Sequence, residues 1–288
     1  MHQFSIADLE RYTQIKAHTF RTWEQRYNLT KSKRGQNGLR FFTIDDLDFF
    51  LDFSLLNRFG YKVSKIALLN REEIRERAFQ LTEETARKEN IVNKLIVYMF
   101  SLETEAFEST VNHVIGKYGI DVAVEDVLLS FIERTDLFSY SANSATAYHF
   151  VVAILRKKMM VAIEQARAKR HLAKTALLFL PEGEHFDLIL LYLQYKFQLA
   201  GVKSFYLGNN IQLRQLSAAV QEKCPDYLVT FIHSGSKNLL RKLMNSFPDY
   251  TSRLLVATEQ LPVYNHTPTG DFKLSQYKHI LQEVEARR

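Results

Sequence analysis

The sequence predicts a multidomain α and α/β protein: a small basic helical domain with a hairpin or wing, a central four-helix bundle, and a C-terminal parallel sheet covered by helices. Three observations carry this. Between Arg11 and Arg40 the chain holds eight basic residues (Arg11, Lys16, Arg21, Arg26, Lys31, Lys33, Arg34, Arg40) against one acid, Glu24, around its only tryptophan, Trp23. From Ile91 to Met159 apolar residues recur at helical spacing. From Thr175 short apolar runs alternate with amphipathic stretches, the pattern of a parallel sheet buried on both faces.

With 288 residues, 46% hydrophobic and 24% charged, the chain is long enough for two or three domains. Its 38 Lys+Arg against 32 Asp+Glu give a net charge of only +6, so the basicity is concentrated in one module. A single cysteine, Cys224, excludes an intramolecular disulfide framework and a cysteine-cluster zinc site, and is expected to be a buried thiol in a reducing compartment. The N-terminus lacks the layout of a leader, and no apolar run approaches the ~20 residues that span a bilayer. The expected location is the cytoplasm, without membrane contact.

In the first module, Ile6, Leu9 and Tyr12, then Phe20, Trp23 and Tyr27, line helical faces. Lys31 to Phe42 breaks that period with Gly35, Asn37 and Gly38, which permit positive φ, and reads as a two-stranded hairpin or wing. Thr43 with Asp45 and Asp46 reads as an N-cap and acidic first turn of a helix ending near Gly60, and Ser64 as the cap of a further short helix. The module is assigned residues 1–72. The charged stretch that follows, 73–90, is expected as a solvated helix or linker. Residues 91–170 form the bundle, from the stripes Ile91, Leu95, Met99; Phe107, Val111, Val114; Val124, Val127, Leu128, Phe131; and Phe150, Ile154, Met159. Residues 171–288 hold the sheet, with strands at Thr175–Leu180, Ser204–Leu207, Asp226–Ile232, Arg253–Ala257 and near Asp271–Leu274, then a helix Ser275–Glu285. Ligands in such sheets sit beyond the carboxyl ends of the strands, which directs attention to the loop Pro181–His185.

The order Thr19-Phe20-Arg21-x-Trp23-Glu24-x-Arg26-Tyr27, then Gly38-Leu-Arg40-Phe-Phe42, then the Asp-rich cap resembles the winged helix-turn-helix of the MerR family of transcription regulators. The resemblance implies that the second helix enters the major groove of DNA while the wing grips phosphates. The matching positions are Lys16, His18, Thr19, Arg21, Arg26, Tyr27, Lys33, Arg34 and Arg40. Basic residues around a groove-bound helix displace counterions from the duplex, which agrees with this reading. Trp23 and Phe20 read as core of the module rather than base readers.

The remaining two thirds resembles the cobalamin-binding half of MerR-type regulators that use cobalamin in light or ligand sensing, a bundle followed by a flavodoxin-like (Rossmann-like) domain. The resemblance rests on Leu180-Pro-Glu-Gly-Glu-His-Phe-Asp-Leu188, a helix to Gly201, and Tyr206-Leu-Gly208. The family loop reads Glu-x-His-x-x-Gly with the histidine on cobalt. Here Glu184 matches the glutamate, Phe186 stands at the histidine position and Ile189 at the glycine, with His185 one residue early. One residue rotates a side chain by about 100° at a helix start. In the cap helices Phe138 stands for the family's tryptophan, Tyr148 for its glutamate, and His149 retains its histidine. Phe231 and the pair Ala257-Thr258 replace the small residues that admit the cofactor's nucleotide tail. The cleft positions are therefore Phe138, Tyr148, His149, Glu184, His185, Phe186, Phe231 and Thr258. Their composition implies that the fold is kept and cobalamin lost.

The expected function is a sequence-specific MerR-type transcriptional regulator, not an enzyme, whose sensor-like region serves another ligand or oligomerisation. Its implied partners are a palindromic promoter site in double-stranded DNA, a second copy or more of itself, and RNA polymerase. The alternative is a functional cobalamin-dependent, light-responsive regulator, which needs cobalt ligation by His185 or His149. An enzyme subunit carrying cobalamin is a third class, opposed by the DNA module. The loop His233-Ser-Gly-Ser236 lacks nucleophile-elbow spacing, Asp45, Asp46 and Asp48 match no calcium loop, and no metal site is expected. The basic runs Arg156–Lys158 and Arg167–Arg170 read as solvated helix faces.

Overall fold

The computed structural model describes residues 3–29, 32–34, 40–137, 145–168, 173–232, 237–258 and 273–276. It divides into two compact units, residues 1–151 and 152–288.

In the first unit, helices α1 (Ile6–Thr13) and α2 (Ala17–Tyr27) are joined through Gln14, which takes the left-handed conformation at φ 61. Ser5 and Asp8 form a capping box that satisfies the first amides of α1. Strands β1 (Lys33–Arg34) and β2 (Arg40–Phe41) pair antiparallel, Lys33 opposite Phe41 and Arg34 opposite Arg40, so the expected wing is present. Its tip, with Gly35, Asn37 and Gly38, lies outside the described residues. Phe4 and Phe42 exchange backbone hydrogen bonds of 3.0 and 2.8 Å and tie the wing's base to the chain before α1.

Helix α3 (Ile44–Arg58) opens on the Thr43–Asp46 capping box and is followed by Gly60, as its cap residues predict. Lys62, not Ser64, takes the N-cap position of α4 (Val63–Ile66), and its side chain makes no capping hydrogen bond. The charged segment folds as α5 (Arg71–Phe79), capped by Asn70 and Glu73. Charge along most of α5 faces out while Ile74 and Ala78, four residues apart, are buried with Trp23, Phe53, Leu56 and Ile66. Phe20 packs edge-on to Phe50 at 4.9 Å, and Trp23 lies 5.1 Å from Phe53. Aromatic residues at helical spacing on α2 and α3 thus build the core of the module.

Helix α6 (Glu84–Ser101) packs against α3, α7 and α8. Helix α7 (Thr104–Val122) is kinked at Gly119, whose φ of 80° and ψ of 167° suit a residue without Cβ. The chain continues through a π-helical turn, Ala123–Leu128, into α8 (Leu129–Thr135). The kink accounts for two successive apolar stripes, Phe107-Val111-Val114 and Val124-Val127-Leu128-Phe131, all buried. Helix α9 (Ala145–Gln165) begins in this unit, where Phe150 meets Phe107 edge-on at 5.7 Å.

The second unit holds a five-stranded parallel sheet: β3 (Thr175–Phe179), β4 (Lys203–Tyr206), β5 (Tyr227–Phe231), β6 (Leu254–Thr258) and β7 (Lys273–Gln276), in the order β4-β3-β5-β6-β7. That is the doubly wound 2-1-3-4-5 order, with a switch point between the first and third strands. Helices α10 (Leu188–Ala200), α11 (Leu213–Lys223) and α12 (Lys237–Ser246) make the crossovers. Every residue of β5 is buried, as a central parallel strand requires. The last strand extends to Gln276, so Ser275 belongs to the sheet rather than to the expected helix, whose remainder lies outside the described residues.

Cys224 corrects an expectation. It is exposed, because α11 stops at Lys223 and Cys224 follows as its left-handed C-cap at φ 42, donating its amide to Val220. The native protein should therefore react with one equivalent of a thiol reagent as fast as the unfolded chain does, and slow modification of the native protein would contradict this placement.

A second test concerns Asp52 of α3. It lines a cavity of about 310 Å³ with Asp48, Arg75, Glu76 and Lys94. Burial, then the neighbouring Asp48, pushes its carboxyl up to about 7, against Arg75 and Lys94. A carboxyl with an unfolded value near ~3.9 then favours folding at low pH, and loses that contribution as pH rises through 7. Between pH 5 and 8, by these values, wild type should lose thermal stability relative to Asp52→Asn, and a pH-independent difference would refute it.

Candidate DNA-contacting surface

The amphipathic division of α2 creates the site. Phe20 and Trp23 turn into the core and Tyr27 packs half-buried beside them, which leaves His18, Arg21, Thr22, Gln25 and Arg26 exposed. The residue spacing explains why: positions 18, 21, 22 and 25 follow the i, i+3, i+4, i+7 rule on one face. Thr19 is half-buried in the first turn and donates its amide to the Lys16 carbonyl at 2.9 Å.

The wing brings its own cations to that face. A groove of about 760 Å³ is lined by Arg21, Glu24 and Gln25 of α2, by Ser32, Arg34 and Arg40 of the wing, and by Ser5, Ile6 and Phe42. Three guanidinium groups from two elements therefore share one concavity. Glu24 lies 3.7 Å from Arg40. Among the described residues no carboxylate pairs with Arg21, Arg26, Lys33 or Arg34. Lys33 and Arg26 are exposed outside the groove lining.

Lys16 has a different employment. Its ammonium lies 3.0 Å from Glu10, and the other oxygen of Glu10 accepts the Ala17 amide at 2.9 Å. That amide, then Lys16, holds the Glu10 carboxyl below its ordinary range. A carboxylate at the start of α2 satisfies an orphan amide and opposes the positive end of the helix. Sequence reading missed this pair, along with Gln25 and Ser32 in the groove. The position of Gln25, four residues after Arg21, was the available signal for the former.

The second expected cleft is partly described. Phe138 and the side chain of Thr258 lie outside the described residues. Tyr148, buried, and His149, exposed, are neighbours on the part of α9 within the first unit. In the second unit the loop after β3 is pinned to the loop after β4: Glu182 donates to Ile211 at 3.1 Å, Ile211 to Leu180 at 2.9 Å, and Gly183 to the Asn210 side chain at 3.1 Å. Glu184 is half-buried and donates its amide to Pro181; His185 is exposed. Phe186 is buried with its ring 6.4 Å from that of Phe231 at the end of β5. The two aromatics thus occupy the switch point between β3 and β5.

Beside them Asp187 is buried and fully engaged. Arg156 of α9 holds it with two nitrogens at 2.8–3.2 Å, and the Tyr206 hydroxyl donates to it at 2.8 Å. Burial, then the Asp187 charge, raises the Tyr206 hydroxyl well above the ordinary phenol range, so it stays a donor. Arg156, expected on a solvated face, is instead a structural clamp. Among the described residues, no group of three or more His, Cys, Asp or Glu side chains is placed to hold a metal ion.

Several solved structures are similar to this chain in fold. The monomethylamine corrinoid protein of Methanosarcina barkeri is 12% identical, with a TM-score of 0.49, covering 70% of this chain and 100% of that one. A cobalamin-binding protein from Desulfitobacterium hafniense is 14% identical, with a TM-score of 0.34, covering 68% and 97%. The methanol:cobalamin methyltransferase complex of Methanosarcina barkeri is 12% identical, with a TM-score of 0.36, covering 79% and 92%. No curated protein matches the sequence. Residues 4–72 match the family model described as MerR HTH family regulatory protein, and with α1, α2 and the wing in place the N-terminal part of the chain is a helix-turn-helix domain of that family.

Proposed function

We propose that the protein is a sequence-specific DNA-binding transcriptional regulator rather than an enzyme. The observation that carries the proposal is the convergence of Arg21, Arg34 and Arg40 on one groove between the exposed face of α2 and the wing. Charge there favours phosphate, and the polar edge of α2 supplies His18, Thr22 and Gln25 for base edges in a major groove wide enough to admit a helix. Arg26, Lys33 and Tyr27 flank the same surface, and Lys16 contributes after exchanging Glu10 for phosphate. A palindromic promoter site read by a homodimer, or by a larger homo-oligomer, matches the two-fold symmetry that such domains impose on their sites. RNA polymerase is then a further partner. No helix among the described residues is long and apolar enough to cross a membrane. The reading is of a regulator that works in the cytoplasm.

The C-terminal unit is read as a sensor-like domain that has lost cobalamin. The residues at the switch point do not fit that group: Phe186 has no lone pair for cobalt, and its ring is buried near Phe231 where a ligand would enter. Asp187, next in the chain, is already committed to Arg156 and Tyr206. The domain serves oligomerisation or another, apolar ligand.

Replacing Arg21 and Arg40 together by Ala should leave the helical circular dichroism intact and weaken duplex binding severely, with the slope of log K against log salt falling by about 2, one for each lost phosphate contact. Unchanged affinity at moderate salt would remove the assignment of this surface. Incubation with adenosylcobalamin in the dark followed by gel filtration should return a colourless protein of unchanged elution volume. A coloured peak, or one whose size changes on illumination, would overturn the loss of the cofactor.

A further inference from the structure

Beneath the helix-turn-helix lies an ion network that no DNA contact requires. Arg134, near the end of α8, is buried, and its guanidinium donates to the Tyr12 carbonyl through both Nε, at 2.7 Å, and Nη2. Nη2 also donates to Asn93 Oδ1 of α6 at 2.8 Å, and Nη1 lies 3.3 Å from Glu89 of the same helix. Glu89 in turn pairs with Arg58 of α3 at 2.9 Å. Arg58 donates to Gln14 Oε1 at 2.9 Å and to the Thr13 carbonyl at 3.4 Å. Two guanidinium groups therefore cap the C-terminal carbonyls of α1, where a helix leaves acceptors unsatisfied and carries partial negative charge. At the rim Arg11 adds a pair to Asp136, the residue that ends α8, at 3.0 Å.

The connection continues to the recognition helix. Two residues after Tyr12 the chain turns through Gln14 toward α2, and Glu10 of α1 holds the first amide of α2. Hydrogen bonds thus tie α8, α6 and α3 to the end of α1, and the same helix, through Glu10, holds the start of α2. Aromatic packing runs parallel to it, with Phe100 of α6 5.0 Å from both Phe4 and Tyr12.

We infer that Arg134, held by Glu89 and Asn93, is a positioning residue for DNA binding: it fixes the α1–α2 turn to helices α6 and α8, so that the arrangement of the helical bundle sets the orientation of α2. The inference rests on the DNA-binding reading above. It assigns regulation to this joint, because any event that moves α8 against α6 withdraws the cap from α1. The physical requirement is a shift between competent and incompetent orientations, which scales the apparent dissociation constant by the competent fraction.

The test uses the full chain, Arg134→Gln and Glu89→Gln, and a fluorescent duplex of random sequence, about 30 base pairs, long enough for two half-sites. Anisotropy is read between roughly 50 and 200 mM salt, and the emission of Trp23, the only tryptophan, reports on α2 directly. Arg134→Gln should lower affinity about tenfold at every salt concentration with an unchanged salt slope, as a reduced competent fraction demands, and should shift Trp23 emission to the red. Glu89→Gln keeps the shape of the site and removes the charge between two arginines, so it should shift both readouts the same way, less strongly. Folded variants that bind like wild type with unaltered Trp23 emission would overturn the inference. A salt slope reduced by about 1 would also overturn it, by making Arg134 a phosphate contact. Loss of the folded state in both variants would make the network a folding determinant and end the positioning role. Failure of wild type to bind the duplex would instead remove the DNA reading, while the Trp23 shift would still decide whether the joint positions α2.

Discussion

A guanidinium buried under the end of α1 dictates how the N-terminal half of this protein is organised. Burial pulls Arg134 down to about 10, with Glu89 acting to hold it up, and at neutral pH it remains charged. A charge in that position is tolerable only if every donor finds an acceptor, because an isolated buried ion is costly and removing one partner of a buried pair costs about 3–5 kcal/mol. The three acceptors come from two elements: a main-chain carbonyl of α1, and an amide oxygen and a carboxylate of α6. The consequence is architectural. The helix-turn-helix is joined to the following helices by hydrogen bonds and by a shared aromatic contact at Phe100, and residues 1–151 form one compact unit.

The candidate DNA-contacting face follows from what the core consumes. Phe20 and Trp23 are drawn into the aromatic cluster with Phe50 and Phe53, which fixes the rotation of α2 and leaves Arg21 and Gln25 outward. Backbone pairing of Phe4 with Phe42 then sets the wing's base, and with it the reach of Arg34 and Arg40. Cations gathered in this way repel one another, which costs stability in the free protein and is relieved by a polyanion. In the C-terminal unit the packing runs the opposite way. The switch point of the sheet is filled by Phe186 and Phe231, and the buried carboxylate of Asp187 beside them is bound by Arg156 and Tyr206.

Much of this was legible in the sequence because the signals are local. Short apolar runs bounded by Gly and Pro located β3 to β6 within two residues, and Thr43 with Asp46 marked the start of α3. The wing and the outward face of α2 followed from glycine placement and helical spacing. What was missed depends on contacts distant in the chain. Arg134 reads as an ordinary charged residue of an amphipathic helix, and its partner Tyr12 is 122 residues away. Glu10 gave no sign that it would neutralise Lys16, since capping by a residue of the preceding helix depends on the turn geometry at Gln14. Cys224 was expected inside because cysteine is commonly buried, but its place after the last turn of α11 decided otherwise.

Hydrogen exchange of the full chain, resolved by segment, tests the central claim that the DNA-binding domain and the helices beneath it behave as one cooperative body. The account predicts that slow-exchanging amides of α1, α2 and α3 open with the same free energy as those of α6 and α8, as members of a single cooperative unit do. Exchange of residues 4–72 through a separate opening, of distinctly lower free energy than that of α6 and α8, would contradict it.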